Sequence, residues 1–151
     1  MAQIIIADTS CLISLYNAGI LQILQKLFIE VYITEDIQRE FGQPLPNWIK
    51  LKNPEYTPQL KSLYSQLDKG EASAIALAAQ EENATIIIDE LKGRNIAIKL
   101  GIKTTGTIGI LILAKEKGIV TELMKTIDML VENGFRISRN LYEEIAQNYK
   151  Y

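Results

Sequence analysis

The chain has 151 residues, a net charge of −2, 48% hydrophobic content, one cysteine and no histidine. That length suits one domain, residues 1–151, with a sizeable core, and no apolar run is long enough to span a bilayer. The missing histidine excludes Ser-His-Asp and Cys-His triads, His-ligated zinc and a His proton shuttle, and the single Cys11 excludes an internal disulfide or a thiolate zinc cluster.

Taken in order, the chain alternates strand and helix. Gln3–Ala7 is an isoleucine run without polar alternation, the mark of a parallel strand buried on both faces. No basic segment precedes it, so it reads as a strand rather than a signal peptide, and a cytoplasmic location is expected. Ser10–Asn17 reads as a helix, and after Gly19 the residues Ile20–Phe28 read as another. Val31–Ile33 is a short strand, followed by a helix that Thr34 caps and that runs to about Phe41, with Glu35 and Asp36 in its first turn. All four prolines fall between Gly42 and Pro58, so this segment is mostly loop, with room for an edge strand at Trp48–Leu51. Helices are expected over Gln59–Leu67 and Glu71–Glu82, a strand over Ile86–Ile88, a helix over Gly93–Leu100 and a brief strand over Gly101–Thr104. Helices over Ile108–Glu116, Val120–Glu132 and Arg139–Tyr149 close the chain. The alternation predicts a three-layer α/β/α sandwich around a mostly parallel sheet.

Two of the apolar strands end on an acid, Asp8 and Asp89. Open parallel sheets build their sites outside the carboxyl ends of the strands. Two carboxylates in such a crevice repel each other and are poorly solvated, and a hard cation is the obvious compensation. Without histidine the ligands are oxygens, which favours Mg²⁺ or Mn²⁺. Glu40 stands at the edge of an apolar helix face, and Glu71 opens an alanine-rich helix able to pack closely on the sheet. Each acid also has a plain structural reading: Asp8 as a helix cap, Asp89 as the start of a turn, Glu40 as a solvated charge, Glu71 as the third residue of a capping box begun by Asp68.

The order Asp8-Thr9-Ser10, Glu40, Gly70-Glu71-Ala72 and Ile88-Asp89 resembles the PIN domain, a family of metal-dependent ribonucleases that includes VapC-type toxins. Asp89-Glu90-x-x-Gly93-Arg94, Gly106-Thr107-Ile108-Gly109 and Gly134-Phe135-Arg136-Ile137-Ser138 resemble one largely uncharacterised prokaryotic branch of it. The resemblance covers nearly the whole chain. It implies a PIN-like domain that hydrolyses RNA phosphodiester bonds with Mg²⁺ or Mn²⁺, alone or as the toxin of a toxin–antitoxin pair with an antitoxin protein as partner. It carries Asp8, Glu40, Glu71 and Asp89 over as the metal-binding, catalytic acids, and Ser10 as the small polar residue beside the first. Thr107 stands where many relatives place a further acid or amide.

Substrate binding calls for positive charge, and Arg94, five residues after Asp89, is the candidate phosphate contact; a salt bridge to Glu90 is its structural alternative. Thr107 is a candidate for orienting water or phosphate, against plain capping of the helix at Ile108. A homodimer is expected, with Leu123, Ile127, Leu130, Leu141 and Ile145 offering an interface or else packing internally. Two other functions compete. One is a catalytically inactive PIN-like module binding RNA or a protein. The other is a phosphatase of the haloacid dehalogenase type, which wants a second aspartate where Ser10 stands.

Overall fold

The computed structural model describes residues 4–149. One parallel sheet holds β1 (Ile4–Ala7), β2 (Glu30–Ile33), β3 (Ile49–Leu51), β4 (Ala84–Ile87) and β5 (Lys103–Thr105), in the order β3-β2-β1-β4-β5. Among the described residues the helices are α1 (Thr9–Asn17), α2 (Ile23–Leu27), α3 (Glu35–Phe41), α4 (Pro58–Gln66) and α5 (Lys69–Gln80), then α6 (Leu91–Lys99), α7 (Thr107–Glu116), α8 (Leu123–Glu132) and α9 (Arg139–Asn148). They flank the sheet and complete a three-layer α/β/α architecture.

The isoleucine runs form the middle of the sheet. Ile5, Ile6, Ile86 and Ile87 are fully buried, and Ile6 lies beside Ile86, Ala7 beside Ile87. From central β1 the chain first winds out through β2 to β3, then returns to β4 on β1's other side. The reversal between β1 and β4 is the topological switch point, where open α/β sheets form a crevice. Asp8 and Asp89 follow these two strands, and the Asp8 N–H donates to the Ile87 carbonyl at 3.2 Å. Helix α5 packs on both strands, and every residue from Gly70 to Ala78 is buried. Its alanines and serine keep the approach close.

Several boundaries depart from the sequence expectation, each for a local reason. The helix expected over 20–28 shortens to α2, because Gly19 at φ 74° turns the chain and the Ile20 N–H bonds back to Leu15. Helix α6 starts two residues early, at Leu91, because the Glu90 side chain caps it by accepting from Lys92 and Gly93 N–H. Helix α8 starts at Leu123, because the amides of Ile119 and Val120 both return to Ala114 and extend the turn that ends α7. Gln3, expected to open β1, lies outside the described residues. Leu123, Ile127, Leu130 and Ile145 are buried in the core, while Leu141 is 40% exposed. Among the described residues no helix is long and apolar enough to cross a membrane.

Candidate active site at the switch point

Four elements deliver the acids to one end of the sheet: Asp8 from the end of β1, Glu40 from the last turn of α3, Glu71 from the first turn of α5, and Asp89 from just beyond β4. Asp8 occupies the N-cap position of α1, yet its side chain makes no capping bond. The capping-box reading of Glu71 is half realised. Asp68 caps α5 by accepting from the Glu71 N–H at 2.9 Å, but the Glu71 carboxylate does not complete the box.

The acids divide by how far their oxygens are engaged. Glu40 accepts from the Thr9 hydroxyl at 2.6 Å and from the Gly70 N–H at 3.1 Å. Asp89 accepts from the Thr107 N–H at 2.9 Å and from the Thr107 hydroxyl at 2.6 Å. Asp8 and Glu71 are only 3% and 8% exposed, and Asp8 Oδ1 and Glu71 Oε2 have no hydrogen-bond partner among the described residues. A buried, unpaired carboxylate oxygen is expensive to leave so.

Three glycines make the arrangement possible. A Cβ on Gly93 would lie 2.8 Å from Glu71 Oε2, and one on Gly106 would lie 2.8 Å from Asp89 Oδ1. A Cβ on Gly70 would collide with the Glu40 carboxylate. Each glycine opens a helix and leaves a hollow that a carboxylate fills.

Burial pushes the Asp8 carboxyl up to about 7; Asp68, Glu40 and Asp89 add to the rise, and the Thr9 N–H partly offsets it. The Glu71 carboxyl is also raised, first by burial and then by Asp68, Asp8 and Glu90. Glu90 is lowered, chiefly by the Gly93 N–H it accepts. The two acids with unpartnered oxygens are thus the two that resist ionisation.

Of the other expected site residues, Thr107 lies at the site but does not cap α7. Gly106 holds the cap position, and the fully buried Thr107 grips Asp89 instead. Arg94 makes no salt bridge to Glu90; its Nε and Nη2 donate to the Ile88 carbonyl at 3.0 and 2.7 Å, with Nη2 4.0 Å from Asp89. Ser10 is exposed on α1 and makes no hydrogen bond among the described residues; its neighbour Thr9 makes the contact to Glu40. Sequence reasoning missed the tie that Thr9 makes to Glu40; the signal available was a hydroxyl next to the first acid, Asp8-Thr9.

No group of three or more acids or thiols among the described residues is drawn together closely enough to hold a metal ion. The donor chemistry still fits a hard divalent cation. All the donors are oxygens, and Asp8 and Glu71 each present a buried oxygen that no protein donor satisfies. A cation held by such an oxygen would supply the partner it lacks.

A family model described as a PIN domain matches residues 4–150. No curated protein matches the chain.

Proposed function

The chain belongs to the PIN-domain family, a nuclease-like fold, and from that premise we propose that it is a Mg²⁺- or Mn²⁺-dependent ribonuclease that hydrolyses RNA phosphodiester bonds at the switch point. The observation that carries this reading is the pair of buried, unpartnered oxygens, Asp8 Oδ1 and Glu71 Oε2, beside Asp89. A bound divalent ion supplies an activated water and relief of charge on the phosphate in its transition state. Asp8 and Glu71 would hold it through those oxygens. Asp89 is oriented by the N–H and hydroxyl of Thr107, and its remaining lone pairs are free to share the ligation. Glu40, tied to Thr9 and Gly70, fixes the start of α1 against the start of α5 and so sets Asp8 against Glu71.

Without a cation these acids repel a phosphodiester, so activity should be strictly metal-dependent. The experiment is cleavage of a panel of structured RNAs in Mg²⁺, in Mn²⁺ and in EDTA, with Asp8→Asn alongside. Cleavage in metal, lost in EDTA and in the variant, is expected. Equal cleavage by Asp8→Asn, or none by the wild type in either metal, overturns the reading.

The toxin role belongs to the same proposal. Its partner would be an antitoxin protein, and finding a small coding sequence immediately upstream of this one would support it. A homodimer is also proposed, and light scattering at micromolar concentration checks it.

A second reading, a catalytically inactive module that binds RNA or a protein, draws on one observation: Glu40 and Asp89 are already engaged and no three acids converge among the described residues. A melting temperature unmoved by millimolar Mg²⁺ and Mn²⁺ would favour it, since a ligand of the native state raises stability by mass action.

A further inference from the structure

A pocket of about 420 Å³ opens beside Asp89, between the start of α6, the start of α7 and the loop joining α8 to α9. Its size falls within the roughly 300–1,000 Å³ of pockets that hold small ligands. Phe135, Ile137 and Leu141 make an apolar wall, and Arg94 and Arg136 supply positive charge. Arg136 is exposed and has no ion pair or hydrogen bond among the described residues, whereas Arg94 spends two donors on Ile88. The one acid in the wall, Asp89, is already bound by Thr107. Ile108 and Gly109, in the first turn of α7, complete the opposite side, and Gly106 brings no capping side chain to compete for their amides. The loop is pinned at both ends: the Phe135 N–H bonds to Leu130 at 2.9 Å and Ser138 caps α9. The pocket is therefore preformed.

An apolar face beside an uncommitted cation, Arg136, adjoining the acids, matches a nucleotide: a base to stack and a phosphate to neutralise. We propose that this pocket is a substrate subsite that takes one unpaired nucleotide flanking the cleaved bond, with its base against Phe135 and Ile137 and its phosphate on Arg136. The inference deepens the ribonuclease reading and rests on it for the identity of the strand.

The test measures binding apart from chemistry. A short fluorescent 2′-O-methyl single-stranded oligonucleotide is titrated against the full chain in Ca²⁺, which offsets the repulsion of the acids while supporting little turnover, at several salt concentrations. Arg136→Ala should weaken binding roughly ten- to hundredfold and flatten the salt dependence by about one phosphate contact; Arg136→Lys should restore the slope. Phe135→Leu should weaken single-strand binding while keeping the slope. A duplex of the same sequence should bind more weakly, because its bases are not free to enter. With cleavable RNA and metal, the Arg136→Ala loss should fall on KM rather than kcat. Arg136 is exposed, so the melting temperature of its variants should match the wild type. Wild-type affinity and slope in both Arg136→Ala and Phe135→Leu, or equal binding of duplex, overturns the subsite. An oligoglutamate peptide that outcompetes RNA through Arg136 overturns it in favour of a protein ligand. Failure of the subsite with metal-dependent cleavage intact leaves the nuclease standing; Arg136-dependent binding without cleavage leaves the subsite standing and removes the nuclease.

Discussion

The two pairs of acids at the switch point occupy the same end of the same sheet and are treated in opposite ways. Glu40 and Asp89 are supplied with donors: Thr9 and Gly70 for the first, both polar groups of Thr107 for the second. Asp8 and Glu71 are more deeply buried and each keeps an oxygen without a partner. Folding normally eliminates such groups, because a buried polar atom that loses water and gains nothing costs about 1–3 kcal/mol. The satisfied pair contributes to the architecture. The unsatisfied pair costs stability, and a cation of the kind proposed above would offset that cost.

The strongest way to break this comparison is to neutralise the unsatisfied pair. Asp8→Asn and Glu71→Gln should each reduce RNA cleavage by about a thousandfold or more, since loss of a metal ligand removes several kcal/mol of transition-state stabilisation. Both variants should also melt higher than the wild type in EDTA at pH 8: Asp8, raised to about 7, is a buried charge at that pH, and Glu71, raised to about 9, must take up a proton on folding. Cleavage and thermal melts on the same preparations report both effects. Lower stability in both variants would mean that these side chains are ordinary structural partners.

Protonation probes the same pair without mutation. Burial raises the Asp8 carboxyl from its ordinary 3.8 to about 7. The native state therefore holds the proton more tightly than the unfolded chain. The metal-free protein should lose stability as pH rises from about 4 to about 7, by up to about 4 kcal/mol from this group, with little further loss from it above 7. Glu71 is shifted in the same direction and should extend the decline to higher pH. Saturating Mn²⁺ should flatten the curve, because the cation binds the ionised form. Urea unfolding at intervals of pH, in EDTA and in Mn²⁺, measures both slopes. A stability that rises with pH in EDTA would contradict the burial of Asp8.

Much of this was legible in the residues. Ile4–Ala7 and Ile86–Ile88 lack polar alternation, which only a doubly covered parallel strand explains, and the acids after them then had to lie at the strand ends. The capping signals were equally local: Thr34 accepts from the Ile37 N–H as its place before Glu35-Asp36 implied. The partition of the acids was not legible, because it depends on contacts between residues far apart in the chain. Thr9 meets Glu40 across 31 positions and Thr107 meets Asp89 across 18. Nor does the sequence reveal why Gly70, Gly93 and Gly106 are glycines, since the carboxylate above each comes from another element. Arg94 stands beside Asp89 and lines the pocket next to it, but its grip on the Ile88 carbonyl, six positions back, was not legible in its spacing after Asp89.

The satisfied pair can be tested by removing its donors. Thr107→Val keeps the backbone N–H and nearly the same volume but deletes the hydroxyl that holds Asp89. Partners of metal ligands typically contribute 10–100-fold in affinity or activity, so cleavage should fall by about that range, with a stability loss of about 1 kcal/mol. Gly93→Ala is the complementary change: its Cβ would crowd both Glu71 Oε2 and Ile88 Cδ1, the latter at 2.7 Å. Overpacking of that kind costs about 1–3 kcal/mol, and the displaced Glu71 should weaken metal binding. Calorimetric titration of Mn²⁺ into both variants separates the two routes. An unchanged metal affinity in Gly93→Ala would detach Glu71 from the site.

The smallest effects should come from the adjacent pair Thr9 and Ser10: the motif singles out Ser10, and the structure shows a hydrogen bond from Thr9 to Glu40. The motif points to Ser10 as the polar residue serving the first acid. The structure leaves Ser10 exposed in the first turn of α1 and gives the contact to Thr9, whose hydroxyl reaches Glu40 Oε1 at 2.6 Å. Thr9→Val deletes that donor without changing the shape of the side chain. Glu40 then keeps only the Gly70 N–H at 3.1 Å, and α1 loses a tie to the start of α5. A charged acceptor losing one neutral donor should cost about 1–2 kcal/mol, and because Asp8 sits one residue before Thr9, cleavage should fall severalfold through its placement. Ser10→Ala deletes a hydroxyl with no protein partner among the described residues, so stability should stay within about 0.5 kcal/mol of wild type and cleavage should be unchanged. Initial rates and melting temperatures for the two variants decide between the assignments. A larger loss in Ser10→Ala than in Thr9→Val would mean that Ser10 meets water or phosphate directly at the site and that the Thr9–Glu40 contact is incidental.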